Sequence, residues 1–250
     1  MPRYINAIDE DNLITGKVGG FHFSGVRPDK LGATEYTLVT IVTDVTGSVA
    51  SFADQLLECV KTVINACHKS PRANNLLIRY VTFNDSVTEK HGFLPLAQVD
   101  ANQYSALHCS GGTALFDACY ASVGASNDYA KQLYDQNFQV NSIIFVITDG
   151  ADNTSKMAKT DVAVTLVEGV KAEWLDSSIS ILIGINTINC GNYLADFAKV
   201  VNFTQYIDVA SVTDVSLAKL ADFVSKSISS QSQSLGKGQN SQSVPTILTF

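Results

Sequence analysis

From Tyr36 onward the chain alternates between two hydrophobic rhythms. Residues 37–43 (TLVTIVT) form an unbroken, β-branched run, as expected of a strand buried on both faces. After a polar turn at 44–48, Val49, Phe52, Ala53, Leu56, Leu57, Val60, Val63, Ile64 and Cys67 recur at helical spacing. They predict one apolar stripe on a helix of about 20 residues. Ser70 and Pro71 end it. The alternation then repeats. Strands are predicted at 76–83 (LLIRYVTF), 141–148 (NSIIFVIT), 179–185 (ISILIGI) and 205–208, and a short edge strand at 86–94. Helices are predicted at 113–124, 156–175, 192–200 and 213–228. Strands alternating with helices imply an α/β, doubly wound (Rossmann-like) fold with a mostly parallel sheet, one short antiparallel edge strand and helices on both faces.

The flanks differ from this core. Residues 1–36 are dotted with glycine and read as an N-terminal appendage with turns and a hairpin, packed on the main domain at 37–228. Residues 229–250 form a tail. Its first fifteen residues hold six Ser and four Gln, the composition of a flexible linker. The closing VPTILTF is apolar, and it reads either as a frayed terminus or as a docking peptide.

Charge and composition narrow the function. Lys and Arg total 17 against 24 Asp and Glu, a net charge of −7, with no basic cluster. Nucleic-acid partners are therefore not expected. The longest apolar runs, such as 143–147, fall far short of the roughly 20 residues a membrane span needs. The first residues lack the apolar core of a secretory signal, so a cytoplasmic location is expected. Cys59, Cys67, Cys109, Cys119 and Cys190 are odd in number and contain no CxxC, which predicts reduced thiols. His108 and Cys109 are adjacent but cannot supply a tetrahedral metal site alone.

In a doubly wound sheet, ligands bind beyond the carboxyl ends of the strands. Three polar loops lie there. Asp44, Thr46 and Ser48 place a carboxylate and two hydroxyls at alternate positions after the first strand. Residues 110–118 (SGGTALFDA) offer Thr113 behind Gly111 and Gly112. Residues 148–150 (TDG) put Asp149 and Gly150 at another strand end. Three hydroxyls and two carboxylates make an all-oxygen set suited to a hard divalent cation. A plainer reading competes. Asp44 and Ser48 could cap the following helix, and Asp149 with Gly150 could be only a turn. Gly112, Gly150, Asp152 and Asn153 are candidates for the rim of the crevice. Asn84 and Asp85 read as a turn, Asp117 as structural and Trp174 as a packing residue.

These loops resemble the metal-ion-dependent adhesion site (MIDAS) of the von Willebrand factor A (vWA) domain family. Its D-x-S-x-S loop corresponds to Asp44, Thr46 and Ser48, its second-loop threonine to Thr113 and its third-loop aspartate to Asp149. The resemblance covers about 36–228, with Thr46 where the family prefers serine. It implies that Thr46 and Ser48 ligate the metal directly and that Thr113 does so directly or through water. It implies that Asp44 and Asp149 act through waters and that a partner's Asp or Glu completes the shell. Mg²⁺ is the expected ion, with Mn²⁺ and Ca²⁺ also suited. The chain also resembles compact bacterial, archaeal and phage vWA proteins, several of which work beside MoxR-type AAA+ ATPases or in stress-resistance systems such as tellurite resistance.

The expected function is thus a metal-dependent, protein-binding adaptor, not an enzyme. There is no G-x-x-x-x-G-K-[ST] loop, no G-x-S-x-G elbow, and Thr46 stands where a haloacid-dehalogenase-type phosphatase needs its acid. No positioned general base is evident. The alternative is a metal-dependent phosphohydrolase. An extracellular adhesin is a third reading, disfavoured by the missing signal and unpaired cysteines.

Overall fold

The computed structural model describes residues 10–209, 211 and 213–235. Within them lie eight strands: β1 (Leu13–Val18), β2 (Phe21–Val26), β3 (Glu35–Asp44), β4 (Leu76–Phe83), β5 (Val87–Pro95), β6 (Gln139–Thr148), β7 (Ser177–Ile185) and β8 (Gln205–Val209). Five α-helices connect them: α1 (Ala53–His68), α2 (Leu115–Tyr134), α3 (Lys159–Lys171), α4 (Gly191–Val201) and α5 (Asp214–Leu235). The sheet order is β1-β2-β5-β4-β3-β6-β7-β8. Strands β4, β3, β6, β7 and β8 run parallel, so the chain winds one way from β3 and the other way from β6. Helices α1 and α5 cover one face, and α2, α3 and α4 cover the other.

The unbroken apolar runs explain the middle of the sheet. All but the first residue of β3 and of β6 are buried, as strands sandwiched between two helical layers must be. The α1 stripe forms as expected, although its first residues, Gly47–Phe52, wind as a 3-10 turn before the α-helix begins.

Three features differ from the sequence reading. The antiparallel strand β5 is not at the edge, because β2 pairs beside it and the N-terminal hairpin extends the sheet. Helix α2 runs ten residues past Gly124. A Cβ at Gly124 would collide with Val18, so this glycine marks close packing of the hairpin and not a helix end. Helix α5 continues to Leu235, through the first part of the stretch read as linker. Gln231 is buried there; its side-chain amide donates to Ser142 O at 3.2 Å and its backbone carbonyl accepts from Asn141 Nδ2 at 3.1 Å. The rest of the tail, and residues 1–9, lie outside the described residues.

Strand β2 is matched to β5 at only one residue pair, Gly25 with Phe93, so side chains complete its docking. Glu89 Oε1 accepts both Ser24 N–H (2.9 Å) and Ser24 O–H (2.6 Å), and Glu89 Oε2 meets Arg79 Nε at 2.7 Å. Tyr129 of α2 donates to Val26 O at 2.7 Å and stacks on Phe93 with centroids 4.8 Å apart. The Arg79 side chain is 2% exposed. Glu89→Ala would leave its guanidinium buried and unpaired, a loss of about 3–5 kcal/mol. Chemical denaturation should show that loss, and Arg79→Met combined with Glu89→Leu should recover most of it.

Candidate metal centre

Asp44 is the last residue of β3 and Thr148 the last of β6, neighbouring strands at the point where the winding reverses. The Asp44 carboxylate is fully buried and both oxygens are engaged. Oδ1 accepts the Thr46 N–H at 2.8 Å, which folds the first loop back on the strand end. Oδ2 accepts the Thr148 O–H at 2.6 Å, tying the two strand ends together. The folded loop sets its two hydroxyls side by side, with Thr46 buried and Ser48 exposed. Thr46 Oγ1 lies 3.1 Å from Ser48 Oγ, and Ser48 Oγ donates to Asp149 Oδ1 at 2.9 Å. Asp44, Thr46, Ser48 and Asp149 thus form one hydrogen-bonded cluster across two loops.

This geometry bears on the capping alternative. The turn that starts at Gly47 receives no side-chain cap bond from Thr46, and the Ser48 hydroxyl faces Asp149. Asp149 is more than a turn residue, because its carboxylate closes the cluster.

Thr113 reaches the same crevice from the second loop. A Cβ placed on Gly150 would stand 3.4 Å from Thr113 Oγ1. Among the described residues no hydrogen bond joins the Thr113 hydroxyl to the other four side chains. Its backbone is clamped by Asn153, whose Oδ1 accepts Thr113 N–H at 2.8 Å while its own N–H donates to Thr113 O at 2.9 Å. Gly112 N–H donates to Asp85 Oδ1 at 2.8 Å, and Gly111 sits at φ +80 with no room for a Cβ against that carboxylate. Ser110 N–H donates to Val45 O at 3.0 Å, joining the second loop to the first. Asp152 turns elsewhere. Its Oδ1 accepts from Phe116 N at 3.2 Å and from the Ser155 hydroxyl, so it caps the start of α2. Asp117 accepts from the Lys156 and Met157 amides and pins the segment after Asp152.

Sequence reasoning overlooked several participants. Thr148, the buried hydroxyl holding Asp44, is only a β-branched strand residue by pattern. Asn153, named as a rim candidate, and Asp85, read as a turn residue, hold the second loop through its backbone amides, a role their sequence positions do not signal. Cys190 Sγ lies 3.0 Å from Asp149 O, and only the tertiary fold brings it there.

The Thr46–Ser48 and Ser48–Asp149 oxygens, at 3.1 and 2.9 Å, stand at hydrogen-bonding distance from one another. Among the described residues no three His, Cys, Asp or Glu side chains gather closely enough to hold a metal ion. A cation here would therefore rely on the hydroxyls as well as the two carboxylates.

No protein-family model matches this chain, and no curated protein matches it in sequence. Solved structures do resemble it. A variant of the PilB minor pilin from Streptococcus sanguinis aligns with a TM-score of 0.57 at 15% identity, over 89% of this chain and 68% of that one. The pilus adhesin SpaC from Lactobacillus rhamnosus GG aligns at 0.57 and 10% identity, over 91% of this chain and 33% of that one. Proximal thread matrix protein 1 from the mussel byssus, solved with zinc in its MIDAS motif, aligns at 0.51 and 14% identity. That match covers 78% of this chain and 46% of that one. The chain thus spans a third to two thirds of these neighbours' lengths. The likeness shows a vWA-like, doubly wound fold.

Burial, opposed by the bonds from Thr148 and Thr46 and reinforced by the nearby Asp149 charge, pushes the Asp44 carboxyl up to about 6. Burial also raises Asp149. A raised carboxyl binds its proton more tightly in the folded state, so metal-free protein should gain stability as pH falls through about 6. A cation needs the ionised form and competes with that proton. Apparent divalent-metal affinity should therefore drop about ten-fold from pH 7 to pH 5. Calorimetric titration checks this, and Asp44→Asn should flatten the profile.

Proposed function

We propose that this chain is a divalent-metal-dependent protein-binding domain that captures an acidic side chain of a partner through a MIDAS-type centre. The observation that carries the reading is the Thr46–Ser48–Asp149 oxygen chain, held over the buried Asp44 at the switch point of the sheet. Thr46, Ser48 and Thr113 are the hydroxyl donors, with Asp44 and Asp149 supplying charge behind them. A bound ion would supply a Lewis-acidic attachment point, incompletely neutralised by these ligands and open to one more carboxylate. An all-oxygen set of hydroxyls and carboxylates suits Mg²⁺, with Mn²⁺ or Ca²⁺ as alternatives. Zinc in the MIDAS motif of the byssus protein supports a divalent occupant here.

Binding is favoured over turnover by the state of Asp44. It is fully buried with a hydrogen bond on each oxygen, which suits a positioning role better than that of an exposed nucleophile or base. Within the protein-binding reading, we place the chain as an adaptor, of the kind that works beside an AAA+ ATPase or in a stress-resistance system. A second reading, adhesion outside the cell, is favoured by the pilin, pilus-adhesin and byssus-matrix neighbours.

Thermal unfolding with Mg²⁺, Mn²⁺ or Ca²⁺ titrated against EDTA tests the centre. At about 100 times its dissociation constant the ion should add roughly 2.7 kcal/mol. For a chain of this size that is a midpoint rise on the order of 5–10 °C. The rise should vanish in Asp149→Ala. A displayed peptide library should then yield binders in Mg²⁺ that are lost in EDTA or when their Glu is changed to Gln. No shift with any of the three ions would remove the metal reading. Hydrolysis of p-nitrophenyl phosphate would move the chain to the phosphohydrolase alternative.

A further inference from the structure

A small cavity of about 50 Å³ lies beside the first loop, on the face of the sheet that α1 covers. Its walls include Val45, Tyr80, Thr82, Lys90, Tyr104 and His108. Among the described residues no carboxylate lines it. At roughly 10–15 Å³ for each, it has room for about four water-sized atoms, the oxygens of one tetrahedral ion.

Two polar side chains of the wall have no work in the fold. Thr82 is 2% exposed, and its hydroxyl makes no hydrogen bond among the described residues. Buried hydroxyls normally find a partner. Lys90 is half-buried and makes neither an ion pair nor a hydrogen bond among the described residues. The backbone places it there by a local irregularity. Consecutive residues Tyr80 and Val81 pair with His91 and Glu89, so Lys90 is an extra residue, a β-bulge in β5. Regular alternation would turn Lys90 and His91 to opposite faces. The bulge brings both to the face of Tyr80, where Lys90 lines the cavity and His91 Nε2 meets the Tyr104 hydroxyl at 2.7 Å.

His91 contributes no charge. Its Nδ1 lies 2.9 Å from Gly92 O, which can only accept, so Nδ1 carries the proton and Nε2 takes the proton of Tyr104. Burial holds this imidazole down to about 4, so it is neutral near pH 7. The cavity therefore combines the unpaired ammonium of Lys90 with a buried hydroxyl, and no negative group opposes them. That set of donors suits an anion.

We propose that this cavity binds a free tetrahedral oxyanion the size of phosphate or sulfate, held by the Lys90 ammonium and the Thr82 hydroxyl. Neither donor belongs to the metal centre, and the proposal stands independently of the metal reading.

The full-length protein is titrated calorimetrically with sodium phosphate, with EDTA present throughout and sodium chloride at matched ionic strength as control. Saturable binding of phosphate, and none of chloride, is the expected result. Lys90→Met removes a charge-assisted bond and should weaken phosphate binding at least about ten-fold. Thr82→Val should weaken it about three- to ten-fold. Because Lys90 has no partner in the fold, Lys90→Met should leave the anion-free unfolding midpoint within about 2 °C of the parent. N-acetyl-phosphoserine amide should not compete, because the cavity has room for the ion alone. Competition by that compound overturns the free ion in favour of a phosphoryl group carried by a partner. No saturable binding, an equal response to chloride, or an affinity unchanged in either variant overturns the proposal and leaves the cavity to water.

Discussion

The buried carboxylate of Asp44 joins the two halves of this molecule. One oxygen holds the Thr46 amide and the other the Thr148 hydroxyl, so the end of β3, the first loop and the end of β6 share a single anionic anchor. A charge with no exposed surface is costly to keep ionised, and the rise of this group toward neutral pH records that cost. The surrounding loops are arranged around the anchor. Val45 O holds the second loop through Ser110, and Thr113 is locked between strand-end loops by Asn153. The hydroxyls of Thr46 and Ser48 are thereby oriented by groups that are themselves fixed, as a preorganised binding site requires.

The two ends of the sheet differ in chemistry for the same topological reason. Parallel strands send all their carboxyl ends to one edge, where backbone turns and helix starts accommodate oxygen-rich loops. The amino ends collect helix C-termini, whose partial negative charge meets Lys131 in the last turn of α2 and Lys171 in the last turn of α3. Between these ends the apolar layers leave little freedom. Even the fully buried Arg79 is held by its ion pair with Glu89 and by the Phe93 ring beneath its guanidinium, and Glu89 also compensates for the single matched pair between β2 and β5.

The structural neighbours share this scaffold at 10–15% identity, so the fold tolerates almost complete replacement of its residues. A vWA-like sheet by itself does not specify what is bound. The functional reading therefore rests on the spacing of five oxygen-bearing side chains and on the burial of one of them.

Much of this was legible from the chain. The β-branched runs at 37–43 and 143–147 required doubly covered strands, and the helical stripe from Val49 to Cys67 required a packed helix between parallel neighbours. Short polar loops after such strands had to meet at one edge, so Asp44, Thr46, Ser48, Thr113 and Asp149 could be named from local pattern. Tertiary structure decided the rest, because it concerned contacts between residues far apart in sequence. Gly124 read as a helix end until Val18 showed why the helix needs a residue without a side chain there. Ser229–Leu235 read as linker because polar residues predict exposure, yet Gln231 finds buried partners at the starts of β6 and β7. Asp152 looked like a rim residue by position, but its carboxylate turned to the amide at the start of α2. Periodicity records which face of an element is buried. Which distant polar group will satisfy a buried donor or acceptor is set only when the elements pack.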